Sequence, residues 1–200
     1  MQKNNVVYRK ALPSDDVEKI AILLHLTDPY IYPSICQSPS DPFWRRFILF
    51  CMQAPTNIFS LQNLFVAERD EEIVGVLCAI PCGTKITFLE DVPLGEKGMA
   101  MLQQANDGYF RPLIEESKAL NGYNVTNLCV DKGCRGQGVG EGLLCFYVNQ
   151  VSHAPIYLDV IADNAAAVKL YQKCGFTVQK EYYGFSGGEA LLPCLQMLKK

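Results

Sequence analysis

The chain has 200 residues and a mass of 22.3 kDa, which suits one domain, or one domain with an insertion. An apolar fraction of 49% and a mean hydropathy of +0.05 are typical of a globular protein, and no window approaches the roughly 20 uninterrupted apolar residues of a membrane span. The net charge of −3 argues against a nucleic-acid partner, and the first residues lack the apolar core of a signal peptide, so we expect a cytoplasmic protein without a nucleic-acid or membrane partner.

Nine cysteines are scattered along the chain, and none forms a Cys-x-x-Cys pair. Cys78 and Cys82 have the wrong spacing for a metal site, and the chain has only two histidines. We therefore interpret the cysteines as reduced thiols used as small apolar residues in a reducing cytosol, and we expect no metal. A catalytic role for one of them stays open.

The N-terminal third predicts a strand, two helices and a long loop between the helices. The strand covers residues 6–9, and the first helix starts after 13–16 with apolar residues at helical spacing (Val17, Ile20, Ala21, Leu24). Residues 27–40 contain three prolines and little periodicity, which is typical of a long loop. Asp41 and Pro42 suit the start of a second helix that carries Phe43, Phe47 and Phe50 on one face.

The middle of the chain predicts a hairpin followed by a connector and a helix. Two apolar strands, 64–67 and 73–80, are joined across the charged residues 69–72. The connector 84–97 carries Glu90 and Asp91. The helix covers residues 99–120 and is interrupted before Pro112, because proline disfavours helix in the residue before it.

The C-terminal part alternates strands and helices and ends in a hairpin. Strands are expected at 123–130 and 155–161, and the last hairpin at 176–183 and 190–198 around Gly184 and Gly187-Gly188. The helix between the first two strands has Leu144, Tyr147, Val148 and Val151 as its buried stripe. The helix that begins at Asn164 has an apolar stripe of Ala167, Leu170, Tyr171 and Cys174. Gly175 follows it as a left-handed C′ residue.

The segment 130–142 points to a phosphate or pyrophosphate site. It leaves an apolar strand, passes through glycines at alternate positions and enters a helix, while Arg135 adds a positive charge. Such a loop exposes backbone N–H groups beside the positive end of the helix dipole. A P-loop is excluded because no glycine here is followed by Lys-Ser/Thr, and a dinucleotide fingerprint is excluded because Glu141 takes the place of its last glycine.

Two motifs resemble those of the GCN5-related N-acetyltransferases (the GNAT family). Arg135-x-x-Gly138-x-Gly140 is similar to the loop that grips the pyrophosphate of acetyl-coenzyme A (acetyl-CoA). The segment 164–176 is similar to the family's later pattern at Asn164, Ala167, Leu170, Tyr171, Gly175 and Phe176. The motifs follow in the family's order, each with the expected local structure, and the order of predicted elements agrees over residues 6–198.

The resemblance implies an α/β (α+β) fold with a mixed, splayed central sheet flanked by helices, forming one domain over residues 1–200. Acetyl-CoA is then the co-substrate, and residues 124–176 form its binding core. The family's contacts map onto Leu128, Cys129, Val130, Arg135, Gly136, Gln137, Gly138, Val139, Gly140 and Asn164. Tyr171 matches the tyrosine that protonates the leaving thiolate. The loop and helix at 27–60 lie near the expected acceptor site, and the acceptor is an amine of a small molecule or peptide bound by a monomer or homodimer.

Several assignments stay open at this point. Asn164 suits a helix N-cap as well as a cofactor contact, and Tyr171 lies on an apolar stripe where a core tyrosine is common. Some family members have a glutamate on the strand before the loop, where this chain has Asn124, Thr126 and Asn127. Either water, or a carboxylate such as Glu90 or Asp91, accepts the proton of the amine. An enzyme and a non-catalytic acyl-CoA-binding module therefore both remain as interpretations.

Overall fold

The computed structural model describes residues 5–27, 43–55, 57–84, 100, 103, 120–185 and 191–200. The regular elements, in chain order, are β1 (Val6–Lys10), α1 (Val17–His25), α2 (Phe43–Gln53), β2 (Leu64–Arg69), β3 (Glu72–Pro81), β4 (Tyr123–Val130), α3 (Val139–Gln150), β5 (Ile156–Ile161), α4 (Ala165–Lys173), β6 (Thr177–Phe185) and β7 (Leu191–Lys199). Short 3-10 turns precede β2 and follow β4.

The seven strands form one mixed sheet in the order β1-β2-β3-β4-β5-β7-β6. Neighbouring strands are antiparallel except β4 and β5, which run parallel with α3 between them in the chain. A parallel pair needs such a crossover, because a tight turn can join only antiparallel strands. The predicted fold class, a mixed sheet flanked by helices, is confirmed.

Apolar clusters on the two faces of the sheet hold the helices. One cluster packs α1 and α2 on the sheet through fully buried side chains such as Ile20, Leu24, Phe47 and Ile48. The other packs α3 and α4 through Leu143, Leu144, Tyr147, Tyr171 and Phe176. Burying side chains of this size contributes about 1.5–3 kcal/mol each, so both faces hold their helices firmly.

The predicted hairpin between β2 and β3 is confirmed, with strands longer than expected. Its turn is only Asp70 and Glu71, with φ of +51° and +64°. Two successive positive φ values define the type I′ turn, whose twist matches that of paired strands. Glycine and asparagine are usual at these positions, so the two carboxylates occupy an unfavourable backbone region at an exposed tip.

The buried stripes of α3 and α4 differ in part from the prediction. In α3, Val139, Leu143, Leu144 and Tyr147 are buried, whereas Val148 is half-buried. In α4, only Tyr171 is fully buried, and Ala167 and Leu170 are half-buried. The physical reason for α4 is that Leu170 lies over the surface of α3 next to Gly140 rather than under a further layer.

Several predictions lie outside the described residues. They are the loop beyond Thr27, the helix start at Asp41-Pro42, the connector with Glu90 and Asp91, most of the helix 99–120, and the turn at Gly187-Gly188. Among the helices that the structure describes, none combines the length and the apolar character needed to cross a membrane.

Candidate functional site

Strands β4 and β5 separate part-way along their length. They pair at only three positions: Tyr123 with Ile156, Asn124 with Tyr157, and Val125 with Leu158. Beyond these pairs β4 continues to Val130 bonded to β3, and β5 continues to Ile161 bonded to β7. The facing edges of the two strands are therefore unpaired with each other, and a gap opens in the middle of the sheet. Clefts at such positions are usual ligand sites.

A β-bulge lies where the two strands part. Cys78 of β3 pairs with Asn127 and Ala79 with Val125, so Thr126 is an extra residue in β4. The bulge reverses the alternation of side chains: Val125 packs in the cluster of α3 and α4, whereas Cys129, four residues later, packs in the cluster of α1 and α2. Bulges re-aim strands and are frequent next to functional sites. The sequence prediction did not include this bulge.

The alternation of hydrogen bonds decides which β4 groups face the gap. The Asp131 N–H donates to the Val74 carbonyl oxygen at 2.9 Å, so that residue points its backbone at β3. Backbone direction alternates along an antiparallel pair. The N–H and C=O groups of Val130 and Leu128 therefore point away from β3, towards the gap. Consistent with this, the Val130 carbonyl oxygen accepts a hydrogen bond from Arg135 Nε at 2.9 Å.

The predicted pyrophosphate loop follows directly, and two of its glycines have left-handed backbone. Gly136 has φ of +72° and Gly138 has φ of +80°, a region that glycine adopts without strain. A Cβ added at either position would meet no atom within 4 Å. The space in front of the loop is thus open, and a ligand can approach the backbone closely.

Helix α3 begins at this loop without a side-chain cap. Its N-cap is Gly138, which has no side chain to offer, and its first intrahelical bond runs from the Gly142 N–H to the Gly138 carbonyl. Within the described part of the chain, no acceptor is bonded to the backbone N–H groups of residues 136–141. A row of unbonded donors at the positive end of a helix dipole suits a phosphate group.

Side chains from distant elements fix the conformation of the loop. Gln137 Nε2 donates to the Gly133 carbonyl at 2.9 Å, and its Oε1 accepts from Arg69 of β2 at 2.8 Å. Asp131 accepts from the Gly133 N–H at 3.0 Å and forms an ion pair with Lys19 of α1, which lowers the pKa of the Asp131 carboxyl. No local pattern predicts these roles of Arg69 and Lys19, because each lies more than 60 residues away from its partner in the chain.

Asn164 serves as the N-cap of α4. Its Oδ1 accepts a hydrogen bond from the Ala167 N–H at 3.2 Å, which satisfies one of the first donors of the helix. Of the two interpretations left open by the sequence, the cap is the one that the structure displays. A contact of Asn164 with a cofactor stays a prediction.

Tyr171 lies on the inner face of α4, buried against Phe176 with ring centroids 6.1 Å apart. No hydrogen bond of its hydroxyl is found among the residues that the structure describes. Burial raises the pKa of Tyr171 to about 12, and the nearby Cys174 thiol adds to the shift. The hydroxyl therefore keeps its proton throughout the neutral range and can act as a donor.

The β4 positions considered for a general base hold no carboxylate. Asn127 Nδ2 donates to the Thr27 hydroxyl at 2.6 Å, which joins the end of α1 to β4. Thr126 Oγ1 donates weakly to the Cys78 carbonyl at 3.4 Å, and Asn124 is buried. The candidates Glu90 and Asp91 lie outside the described residues. Among the described residues, no group of three His, Cys, Asp or Glu side chains is arranged to hold a metal ion.

Comparison with solved structures places this fold among known acetyltransferases. An N-acetyltransferase from Staphylococcus aureus superposes with a TM-score of 0.70 at 17% identity, covering 96% of this chain and all of that one. The ribosomal-protein-S18-alanine N-acetyltransferase from Escherichia coli superposes with a TM-score of 0.54 at 14% identity, covering 97% of this chain and 92% of that one. At these identities the likeness shows the fold alone.

Comparison of sequences identifies the family. N-alpha-acetyltransferase RimI from Mycobacterium tuberculosis is 35% identical over 71 residues, which are 34% of this chain and 45% of the relative. The [ribosomal protein bS18]-alanine N-acetyltransferase from Escherichia coli is 35% identical over 68 residues, which are 31% of this chain and 46% of the relative. The chain thus spans less than half the length of the curated relatives it matches. The sequence profile described as the acetyltransferase (GNAT) family matches residues 39–176, and the chain belongs to that family.

Proposed function

We propose that this chain is an N-acetyltransferase that moves the acetyl group of acetyl-CoA to a primary amine by direct attack. The observation that carries the proposal is the combination of an open gap between β4 and β5 with a row of unbonded N–H donors at its mouth. Membership of the GNAT family supports the same activity, because acetyl-CoA is the family's usual acetyl donor. We propose that the protein acts in the cytosol.

The pyrophosphate of the co-substrate is proposed to bind at Arg135, Gly136, Gln137, Gly138, Val139 and Gly140. Open space in front of Gly136 and Gly138 and the uncapped start of α3 support this placement. Arg135 is exposed at the rim, where its Nε donates to the Val130 carbonyl oxygen and its guanidinium also interacts with the Cys129 thiol, so only part of its donor set is used. A guanidinium with unused donors suits a phosphate oxygen.

The pantetheine arm and the thioester are proposed to lie along β4 at Leu128, Cys129 and Val130. The N–H groups of Leu128 and Val130 face the gap by the alternation described above. The Val130 N–H is then positioned to donate to the thioester oxygen as negative charge develops on it. A pre-aimed donor of this kind is worth roughly 10²–10³-fold in rate. Asn164 is proposed to contact the pantetheine arm with its amide nitrogen while its oxygen caps α4.

In the proposed reaction the lone pair of a neutral amine forms a bond to the thioester carbonyl carbon, and the carbon–sulfur bond then breaks. The sulfur leaves as a thiolate with the bonding electron pair and accepts a hydrogen bond or proton from Tyr171. The amine nitrogen releases its extra proton to water. Water is proposed because the described β4 positions hold no carboxylate, and because Asp131 is already paired with Lys19.

The acceptor is proposed to be a primary amine, either of a small molecule or of a protein N-terminus or lysine. The curated relatives are named for acetylating an α-amino group, in one case the alanine of a ribosomal protein. This favours a protein N-terminus as the first acceptor to test. The missing β4 carboxylate is the observation that favours the alternative, a non-catalytic module that binds acyl-CoA.

The test has two steps with separate outcomes. Acetyl-CoA at 100 times its dissociation constant adds about 2.7 kcal/mol to the free energy of unfolding, so the melting temperature should rise by roughly 5–11 °C. Release of free thiol is then followed with N-terminal peptides, lysine peptides, polyamines and aminoglycosides as acceptors. No thermal shift at millimolar acetyl-CoA would contradict the whole proposal. A shift without thiol release from any acceptor would favour the binding module.

A further inference from the structure

Two cysteine thiols from different helices meet on the outer side of α3 and α4. Cys145, in the second turn of α3, and Cys174, the C-cap of α4, have their sulfur atoms 4.0 Å apart. All eight cysteines that the structure describes are free. Cys145 is exposed to solvent and Cys174 is buried beneath it. The exposed position of Cys145 departs from the expectation that the cysteines serve as small apolar residues.

The two helices are held side by side at this point by other contacts. Glu141, one turn before Cys145 on the same face of α3, pairs with Lys173 of α4 at 2.6 Å. On the preceding turn, Leu170 lies over Gly140, where an added Cβ would come within 3.6 Å of its side chain. These contacts hold the two helices beside each other next to the cysteine pair.

We propose that Cys145 and Cys174 form a reversible intramolecular disulfide by exchange with a low-molecular-weight disulfide such as oxidised glutathione. A disulfide requires sulfur atoms about 2.05 Å apart, so roughly 2 Å must be closed. Each cysteine has one side-chain torsion, χ1, that moves its sulfur atom. In this proposal the sulfur atoms meet by rotation about these two bonds, and the ion pair between Glu141 and Lys173 keeps the helices beside each other.

The burial of the two thiols sets the order of the steps. Cys145 is accessible, so its thiolate attacks one sulfur of the small disulfide, forms a mixed disulfide and releases one small thiolate. Cys174 then loses its proton and attacks the Cys145 sulfur, which releases the second small thiolate. Two protein thiols are oxidised and one small disulfide is reduced to two thiols, with the two protons passing to them through solvent.

The surroundings of Cys174 make it a poor nucleophile towards reagents in solution, so its part in the exchange depends on its closeness to Cys145. Burial, together with the neighbouring Cys145 thiol, raises the pKa of Cys174 to about 12. The Lys199 ammonium lies close by, donating to the Cys174 carbonyl oxygen at 2.9 Å, and acts in the opposite direction. Cys174 is thus unreactive towards outside reagents but adjacent to a sulfur that the first step activates.

The experiment uses the full chain equilibrated in buffers from fully reduced to fully oxidised glutathione. The chain is then alkylated, digested without reduction and analysed by mass spectrometry. We expect a linked peptide pair containing Cys145 and Cys174, lighter by two hydrogen atoms than the two free peptides. Closing a loop of about 30 residues should also raise the melting temperature by roughly 7–15 °C. Excess reduced glutathione should reverse both results.

Two variants make the outcome specific. Cys145→Ser changes an exposed residue, so it should fold normally and lose both the linked peptide and the thermal shift. Cys194→Ser, at a half-buried thiol of β7, should leave both unchanged. Glutathione attached to Cys145 without any linked peptide at any ratio would overturn the proposal, as would a link from Cys145 to a different cysteine. Neither readout depends on acetyl transfer, so the proposed function can fail while this proposal stands.

Discussion

The first turns of α3 and α4 make an instructive contrast. Helix α4 starts with Asn164, whose own side chain bonds the Ala167 N–H. Helix α3 starts with Gly138, which has a left-handed backbone and no side chain to do the same. A helix that caps itself has used a donor that a ligand would need, whereas an uncapped helix keeps all of them. This contrast supports the proposal that phosphate binds at the start of α3 rather than at the start of α4. The proposed contribution of α4 is the side chain of Tyr171.

The largest expected effect tests the role given to α4. Tyr171→Phe keeps the ring packed against Phe176 and removes only the hydroxyl. Turnover should fall by roughly 10²–10⁴-fold, the usual worth of a positioned proton donor, with acetyl-CoA affinity nearly unchanged. Because no hydrogen bond of the hydroxyl is found among the described residues, the free energy of unfolding should change little at neutral pH. The measurement is steady-state thiol release beside thermal melting of the same preparation.

The matched control is Tyr147→Phe. Tyr147 is also buried, but it lies on α3 and packs against Phe65 and Tyr123. We expect full turnover from this variant. An equal loss of turnover in both variants, or unchanged turnover in Tyr171→Phe, would contradict the proposed proton donor. Tyr171 would then be interpreted as a core residue.

The second prediction converts the start of α3 into one like that of α4. Gly138→Asp supplies a side chain that caps the helix and a negative charge that repels phosphate. Acetyl-CoA affinity should fall by about 100-fold or more, equivalent to about 2.7 kcal/mol. Isothermal titration measures the affinity, and the melting temperature without ligand checks the fold.

Two further variants at Gly138 separate the causes. Gly138→Asn adds the cap without charge, and Gly138→Ala adds only backbone strain at a φ of +80°. We expect the affinities to fall in the order Ala, Asn, Asp from least to most affected. A folded Gly138→Asp protein with normal affinity would place the phosphate site elsewhere.

The third prediction uses alkaline pH to test the burial of Tyr171. Its pKa is raised from about 10 in the unfolded chain to about 12 in the folded protein. A raised pKa contributes stability that is complete below pH 10 and is lost as pH rises towards 12. Denaturant unfolding should show wild type losing up to about 1.4 kcal/mol per pH unit relative to Tyr171→Phe in this window. Parallel curves for the two proteins would indicate a solvated hydroxyl.

The smallest effect concerns the cap of α4. Asn164→Ala removes the acceptor of the Ala167 N–H and should lower the free energy of unfolding by about 1 kcal/mol. Asn164→Asp keeps the cap and should restore stability. Loss of acetyl-CoA affinity in Asn164→Asp, at normal stability, would reveal a contact made by the amide nitrogen. Equal affinity in wild type and both variants would limit Asn164 to its capping role.

Local signals in the sequence predicted much of this architecture. The charged segment 69–72 predicted the hairpin. Its turn places Asp70 and Glu71 at positive φ, which their residue types do not predict. The alternate glycines predicted a loop that exposes its backbone N–H groups, and in the structure Gly136 and Gly138 have left-handed backbone. These features depend on neighbouring residues, so sequence is sufficient to find them.

Features that depend on distant partners could not be predicted in the same way. The bulge at Thr126 is defined by its register with Cys78 and Ala79, and the run Asn124-Val125-Thr126-Asn127 has no alternation that would reveal it. The contacts of Arg69 with Gln137, and of Cys145 with Cys174, join helices and strands whose packing no local pattern encodes. The buried stripe of α4 was overestimated because periodicity does not tell how much of a face is covered.

The strand order has a consequence for how the chain acquires its fold. Strand β7 lies between β5 and β6, although it is the last of the three in sequence. The wall of the gap on the β5 side therefore cannot be completed until residues 191–199 have left the ribosome and β7 has paired with β5. We expect β6 and β7 to join as a preformed hairpin, because their antiparallel pairing is local. Until that step, the edge of β5 is open to pairing with other chains, which makes chaperone binding and early aggregation most probable at this stage of synthesis.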